Sequence, residues 1–245
     1  MMTQPRPAES ATQEPTRTAR QFVRYAFFKA RPSWYALPTD ERNAAREELL
    51  AALEPFAEKL AVLRAYSTLG TRDETDFLLW IVSEDLDDLQ SLQVALLRTR
   101  MGLHLEMAYS FLAMTKRSQY VDTHVHEGQE GRRTQVRPLG RKYLFVYPMV
   151  KKRSWYQLPP AERQRIMTHH INVGHEFPRV RINTTYSFGL DDQEFVVAFE
   201  SDYPSDFLDL VEKLRGSDSS AYTERETPIF TCTAGSIAEV LEMLG

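Results

Sequence analysis

One histidine lies among apolar residues in a segment whose spacing predicts a helix. In AERQRIMTHHINVGHEF, Ile166, His170, Val173 and Phe177 fall on one helical face. An imidazole on such a face is either hydrogen-bonded inside the core or bound to a group that needs a nitrogen ligand. His169 points about a quarter turn away and is typical of a solvated neighbour. His170 is therefore the candidate ligand, with a core histidine as the alternative.

The surrounding sequence limits what His170 could bind. A protein zinc site usually takes three or four side-chain ligands, and no His-x-x-x-His pattern with nearby carboxylates accompanies this histidine. A haem supplies four ligands from its porphyrin, so one axial histidine is enough. Of these two metal centres, the pattern favours haem iron.

The chain contains an internal repeat. Residues 25–42 (YAFFKARPSWYALPTDER) match residues 146–163 (VYPMVKKRSWYQLPPAER), and Trp34 and Trp155 are 121 positions apart. Residues 67–84 likewise resemble residues 187–201, with a glycine turn, acidic residues and an apolar run. Two copies of one unit are the simplest explanation.

The two copies differ at positions where chemistry is possible. At the same offset of 121, polar groups of the second copy replace apolar residues of the first: His170 for Leu49, Tyr147 for Ala26 and Lys151 for Ala30. The second copy is therefore expected to carry the site, and the first to serve as scaffold.

The sequence pattern of each copy predicts the order strand, helix, strand, strand, helix, strand. The first strands are predicted at residues 22–28 and 143–149, and the helices that follow begin near Thr39 or Pro159. This order is that of a ferredoxin-like unit. The predicted fold class is α+β, with two tandem ferredoxin-like units whose antiparallel sheets pack as in a dimeric α+β barrel.

The sequence also suggests domain boundaries. Residues 1–18 are polar, contain proline and lack periodicity, which predicts a disordered tail. An N-terminal unit without cofactor is expected at 19–121, a glycine-containing linker at 122–140 and a cofactor-binding unit at 141–245.

Composition excludes several classes of function. Thirty Lys and Arg against 34 Asp and Glu give a net charge of -4, which argues against nucleic acid as a partner. The single Cys232 rules out an internal disulfide and fits a reducing, cytoplasmic location. No apolar run reaches the roughly 18 residues of a membrane helix, and no signal peptide is recognisable, so no membrane association is expected.

The runs YPMVKKRSWYQLPPAERQRIMTHH and GLDDQEFVVAFESD resemble the haem-bearing half of the chlorite dismutase-like superfamily, which includes chlorite dismutases and coproheme decarboxylases. The resemblance implies a ring-shaped homo-oligomer, usually a pentamer. It also implies haem b or coproheme as the cofactor, with His170 as the proximal iron ligand.

The resemblance implies roles for residues around His170. Asp218 would accept a hydrogen bond from the second ring nitrogen of His170, with Lys151 supporting that carboxylate. Trp155 and Met149 would line the haem. The alternatives are a solvated Lys151 in a basic run and a purely structural Trp155, as Trp34 must be in the first copy.

Two more positions separate the activities of the family. Asn183 stands thirteen residues after His170, where chlorite-decomposing relatives carry an arginine and many coproheme decarboxylases a glutamine. Arg181 or Arg179 could replace that arginine only after a shift of strand register. Tyr147 matches a tyrosine that forms a radical in one branch of the decarboxylases, although a structural strand tyrosine is equally compatible.

Three further residues match positions that hold porphyrin carboxylates in such enzymes, namely Arg133, Arg137 and Ser220. Coproheme carries four propionates and haem b two, so added cations and hydroxyls would favour coproheme.

The first functional hypothesis is peroxide-driven decarboxylation of coproheme to haem b, an oxidoreductase step of haem biosynthesis. Porphyrin and peroxide would then be the binding partners. The alternatives are a chlorite O2-lyase that uses haem b, a haem-binding protein without catalysis, and a structural ring in which His170 is a core residue.

Overall fold

The computed structural model describes residues 20–120 and 134–245. The predicted tail at 1–18, most of the predicted linker and Arg133 lie outside the described residues. The first repeat comprises β1 (Phe22–Ala30), α1 (Pro32–Tyr35), α2 (Thr39–Lys59), β2 (Val62–Ser67), β3 (Phe77–Ser83), α3 (Leu86–Leu97), a 3-10 turn (Met101–His104) and β4 (Leu105–Met114).

The second repeat has the same order with two additions near its end. It comprises β5 (Tyr143–Lys151), α4 (Arg153–Gln157), α5 (Pro160–His175), β6 (Arg181–Tyr186), β7 (Phe195–Ser201), α6 (Pro204–Arg215), a 3-10 turn (Asp218–Tyr222), β8 (Thr223–Arg225), β9 (Phe230–Gly235) and α7 (Ile237–Glu242). The additions are the short strand β8, which precedes the last strand β9, and the helix α7, which follows it.

The strands form a closed antiparallel barrel. Their order is β7-β6-β4-β1-β3-β2-β9-β5-β8, and β5 also pairs with β7, which closes the ring. Within each unit the order is that of a ferredoxin-like sheet, β4-β1-β3-β2 and β9-β5-β7-β6. The units join where β4 meets β6 and where β2 meets β9. The structure therefore has the predicted fold, two ferredoxin-like sheets combined into one α+β barrel.

Strand alternation divides the apolar side chains between the barrel interior and its outer surface. On β7, Val196 and Ala198 belong to the interior cluster, whereas Val197 and Phe199 face the helices of the second unit. On β1, Tyr25 points inward, and Ala26 packs against the helices of the first unit. Each unit thus has an outer sheet face that must be covered.

The two units cover these faces differently. In the first, Leu49 is buried, and α7 adds Val240 and Leu241 to the same cluster, where Trp34 Nε1 donates to the carbonyl oxygen of Leu244 at 3.0 Å. The corresponding segment after β4, residues 115–120, instead lines an opening in the second unit. The apolar cover is complete in the first unit and interrupted in the second.

None of the helices in the described part of the chain is long and apolar enough to span a membrane.

Candidate functional site

A large cavity lies between α5 and the outer face of β5, β6 and β7. Its volume is about 820 Å³, within the range of small-molecule and cofactor sites. Its sheet wall is mostly apolar, because alternate strand positions point outward: Tyr147, Met149, Ile182, Phe195, Val197 and Phe199. The structure therefore provides an apolar wall against which a bound molecule could pack.

The opposite wall is the helix α5. Arg163, Met167, His170, Ile171 and Gly174 line the cavity at helical spacing, which places them on one face. This places the candidate ligand His170 directly on the cavity wall. His169 is exposed, as expected for its position outside that face.

The His170 ring is half-buried and held by one of its two nitrogens. Nδ1 lies 2.9 Å from the hydroxyl oxygen of Ser219, and Nε2 has no hydrogen-bond partner among the described residues. Burial, followed by the charges of Lys151 and His169, lowers the pKa of His170 to about 4, so the ring is neutral near pH 7. A neutral imidazole with one free nitrogen can bind a metal ion. The alternative of a sealed core histidine does not agree with this geometry.

The predicted contact between Asp218 and His170 is wrong in this structure. The 3-10 turn directs Ser219 inward, where it is buried, and Asp218 outward to an ion pair with Arg165 at 3.0 Å. Adjacent residues of so tight a turn point in different directions. The hydrogen-bond partner of His170 is therefore a hydroxyl one position further along the chain.

Lys151 and Trp155 form a buried pair beside this turn. Lys151 Nζ donates to the carbonyl oxygen of Ser219 at 3.2 Å and to Thr223 Oγ1 at 3.4 Å, and lies 5.2 Å from the Trp155 ring centroid. Trp155 is 3% exposed and also contacts Tyr120 and Tyr222. Lys151 is therefore not the solvated residue of the alternative interpretation, and it supports the backbone of Ser219 instead of a carboxylate.

Asn183 contributes to the cavity wall, but its side chain turns away from the cavity. It is paired across the sheet with Ala198, an interior residue, and its Nδ2 donates to the buried Glu200 at 3.2 Å. The cavity-facing neighbours on β6 are Ile182 and Thr184. The prediction that Asn183 projects over the open face of a bound iron is therefore wrong by one strand position.

The two arginines considered as substitutes also separate in the structure. Arg179 is exposed and makes a two-pronged ion pair with Asp206. Arg181 lines the cavity at the start of β6, beside the pairing with Glu200. Of these two arginines, Arg181 is the candidate for contact with a bound molecule, and it starts from the same strand face as Asn183.

Tyr147 projects from β5 into the cavity. Its ring stacks on Phe199 at a centroid distance of 5.9 Å, and its hydroxyl has no hydrogen-bond partner among the described residues. Burial, with a smaller contribution from Glu226, raises the pKa of the phenol well above its ordinary value. Tyr147 therefore keeps its proton and presents an O–H group to the cavity.

Basic side chains outnumber acidic ones in the lining, although Arg141, Arg179 and Arg215 each form an ion pair with a carboxylate. The cationic residues of the lining are Lys116, Arg117, Arg141, Lys151, Arg163, Arg179, Arg181 and Arg215, whereas Glu226 is the only acid among the lining residues that the structure describes. Ser220 is in the lining as predicted, but Arg137 is not, and its guanidinium donates to Gln135. Sequence reasoning missed most of these cations, although Arg163 could have been found seven residues before His170, on the same helix face.

The site can now be compared with known proteins. A family model described as chlorite dismutase matches residues 42–235. The chain belongs to the chlorite dismutase family. It is 28% identical over 207 residues to a coproheme decarboxylase of Mycolicibacterium smegmatis, covering 84% of this chain and 87% of that protein. It is 27% identical over 209 residues to a chlorite dismutase of Ideonella dechloratans, covering 83% and 72%.

Solved structures of the chlorite dismutase family share the fold. A chlorite dismutase variant from Candidatus Nitrospira defluvii superposes with a TM-score of 0.82 at 25% identity, over 91% of this chain and 94% of that one. A haem-binding protein from Thermus thermophilus gives a TM-score of 0.79 at 25% identity, with the same coverage. The comparisons support the expected haem cofactor for the family and leave the individual activity open between its members.

The buried Lys151 gives a prediction about stability. Burial lowers its pKa from an ordinary 10.5 to about 8, so between these values the unfolded chain binds a proton that the folded chain does not. The unfolding free energy of the wild type should therefore rise with pH across this window, by about 3 kcal/mol relative to Lys151→Met. Urea unfolding between pH 7 and 10.5 measures it, with exposed Lys152→Met as the control. If the difference in unfolding free energy between the wild type and Lys151→Met does not change with pH, the lowered pKa of Lys151 is contradicted.

Proposed function

We propose that this protein binds a haem-type porphyrin through His170 and acts as a peroxide-driven coproheme decarboxylase. The observation that carries the proposal is a free imidazole nitrogen in a cavity of about 820 Å³ with eight cations in its lining, of which Arg141, Arg179 and Arg215 are already paired with carboxylates. The family includes both a coproheme decarboxylase and a chlorite dismutase, so the choice between them depends on this chain's own residues.

The residues of the cavity fit a porphyrin. The macrocycle supplies four iron ligands, so His170 Nε2 would complete the protein's share of the coordination. The apolar wall of β5 and β7 would contact the ring face, and Trp155 would contribute an aromatic surface beside Lys151. When bound, the porphyrin iron supplies the redox chemistry by which peroxide is used.

The charge of the cavity favours coproheme over haem b. Each propionate is an anion, and coproheme has four where haem b has two. Arg163 approaches the cavity from α5 and Lys116 from the segment after β4, whereas Arg215 of α6 is paired with Glu226. Guanidinium groups form strong, directional hydrogen bonds with carboxylates. An excess of such groups around an apolar pocket is suited to a ligand with several carboxylates.

Tyr147 is the residue that we assign to the oxidation of propionate. Its protonated phenol would give up a hydrogen atom under oxidising conditions and regain one from the propionate carbon chain. For each propionate, the CH2CH2COO⁻ group, H2O2 and one proton yield a vinyl group, CO2 and two water molecules. The propionate loses two electrons and peroxide gains them. The Tyr147 hydroxyl has no hydrogen-bond partner in the described part of the chain and is directed at the cavity, which supports this role.

Chlorite decomposition is less well supported. A guanidinium over the iron would hold the anionic products, but the outward-facing residues in the middle of β6 are Ile182 and Thr184, and Arg181 joins the lining at the start of that strand. The Asn183 amide donates to Glu200 and so is directed away from the cavity. Oxygen release from chlorite, followed with an electrode, should therefore be slow. The pentameric assembly and the cytoplasmic location stay predictions.

His170→Ala should abolish axial ligation of added coproheme or haem b. We expect affinity to fall by more than the roughly 10- to 100-fold typical of losing an outer-shell partner. Titration followed at the Soret band measures this, with His169→Ala as a matched control that should bind as the wild type does. If the wild type binds neither porphyrin, the proposed function fails.

Arg163→Ala should weaken binding of coproheme by about tenfold, since a charge-assisted hydrogen bond is lost. Haem b, with fewer carboxylates, should be affected less. Arg165→Ala is the matched control, because Arg165 is exposed and engaged with Glu162 and Asp218. Equal losses for both porphyrins would contradict the assignment of this cation to propionate binding.

Tyr147→Phe should bind coproheme normally and lose peroxide-dependent release of CO2 to the background level. Mass spectrometry of the porphyrin after peroxide addition detects each lost CO2. Tyr143→Phe is the control, since Tyr143 lies on the same strand face outside the cavity lining. A fully active Tyr147→Phe would remove Tyr147 from the mechanism, and intact porphyrin in the wild type would indicate a carrier without catalysis.

A further inference from the structure

A chain of three hydrogen bonds connects His170 to the end of α6. His170 Nδ1 lies 2.9 Å from Ser219 Oγ, which lies 2.9 Å from Ser217 Oγ. Ser217 Oγ in turn lies 2.6 Å from the carbonyl oxygen of Leu214. Both serines are buried, at 3% and 6% exposure for Ser219 and Ser217. Water therefore has little access to complete these bonds in another way.

The number of available protons fixes which group donates and which accepts in each of these three hydrogen bonds. A carbonyl oxygen only accepts, so the Ser217 hydroxyl donates to Leu214. Ser217 then has no proton left and accepts from Ser219. Ser219 in turn has no proton left and accepts from His170. All three contacts contain a proton only when His170 carries its own on Nδ1, which leaves the lone pair on Nε2.

The first unit shows which part of this arrangement is scaffold. Thr99 Oγ1 donates to the carbonyl oxygen of Leu96 at 2.8 Å, as Ser217 does to Leu214, and the two pairs share an offset of 118 residues. At that offset Ser219 corresponds to Met101, which is buried in the same apolar cluster as Leu49. Both units thus cap the helix with a hydroxyl, but only the second adds the hydroxyl that reaches a histidine.

We infer that Ser217 and Ser219 form a directed relay that holds His170 in the Nδ1–H tautomer and so keeps Nε2 free for a metal. The inference rests on the proposed function for its purpose but not for its geometry. Both serines are positioning residues, since they act through His170. The acceptor is a neutral hydroxyl, so the ligand is less electron-donating than one bonded to a carboxylate.

The tautomer can be measured in the apoprotein, independently of porphyrin binding. Long-range nitrogen-15 spectra of histidine-labelled protein should show the His170 proton on Nδ1. Ser219→Ala removes the acceptor and should lose this preference, whereas Ser219→Thr, which retains a hydroxyl, should restore it. Ser205→Ala, at an exposed site on α6, should change nothing. A proton on Nε2 in the wild type would overturn the inference, even if porphyrin binds.

Ser217→Ala provides the sharper test, because Ser217 does not touch His170. Without Ser217 as acceptor, Ser219 can donate its proton to Nδ1 and move the histidine proton to Nε2. We expect the tautomer to switch and affinity for added haem b to fall about 10- to 100-fold. Near-ultraviolet circular dichroism verifies that the variant is folded. A folded Ser217→Ala with the proton still on Nδ1 would show that the relay has no direction.

Discussion

The main constraint on this molecule is that the outer face of each half of its barrel must be covered. Apolar surface is stabilising only when it is removed from water. In the first unit Leu49 and the helix α7 complete this cover. In the second unit α5 leaves a gap over Phe199 and Val197, and that gap is the cavity. A flat apolar ligand would complete in the second unit what protein side chains complete in the first.

The same constraint explains which parts could be predicted from the sequence. The repeat, the strand order and the position of His170 depend on periodic apolar patterns, and these persist through small errors of register. Trp155 lies in the cavity lining, at a fixed offset from Trp34, and its contact with a haem stays a prediction. Features shared by two copies are in effect observed twice, which makes them reliable.

Two of the residue-level errors have one cause. The resemblance implies site roles for Asn183 and Asp218, and in each case the side chain that faces the site belongs to an adjacent residue, Ile182 and Ser219. A shift of one position reverses the direction of a side chain on a strand, and changes it strongly in a 3-10 turn. The pattern of apolar residues cannot reveal such an error at a functional site, because the polar residues there do not alternate as core residues do.

Three substitutions between the units convert a packed core into a site. Leu49, Ala26 and Met101 of the first unit are buried and need no polar partner. Their counterparts His170, Tyr147 and Ser219 each bring polar atoms that must be satisfied when buried. Ser219 satisfies one nitrogen of His170, but His170 Nε2 and the Tyr147 hydroxyl find no partner among the described residues. These two groups, on opposite walls, face the same cavity. The free-energy cost of leaving these polar groups unpaired is lowest when a ligand with an iron centre and polar side groups supplies the missing partners. The stability of the second unit is therefore linked to the binding of its ligand.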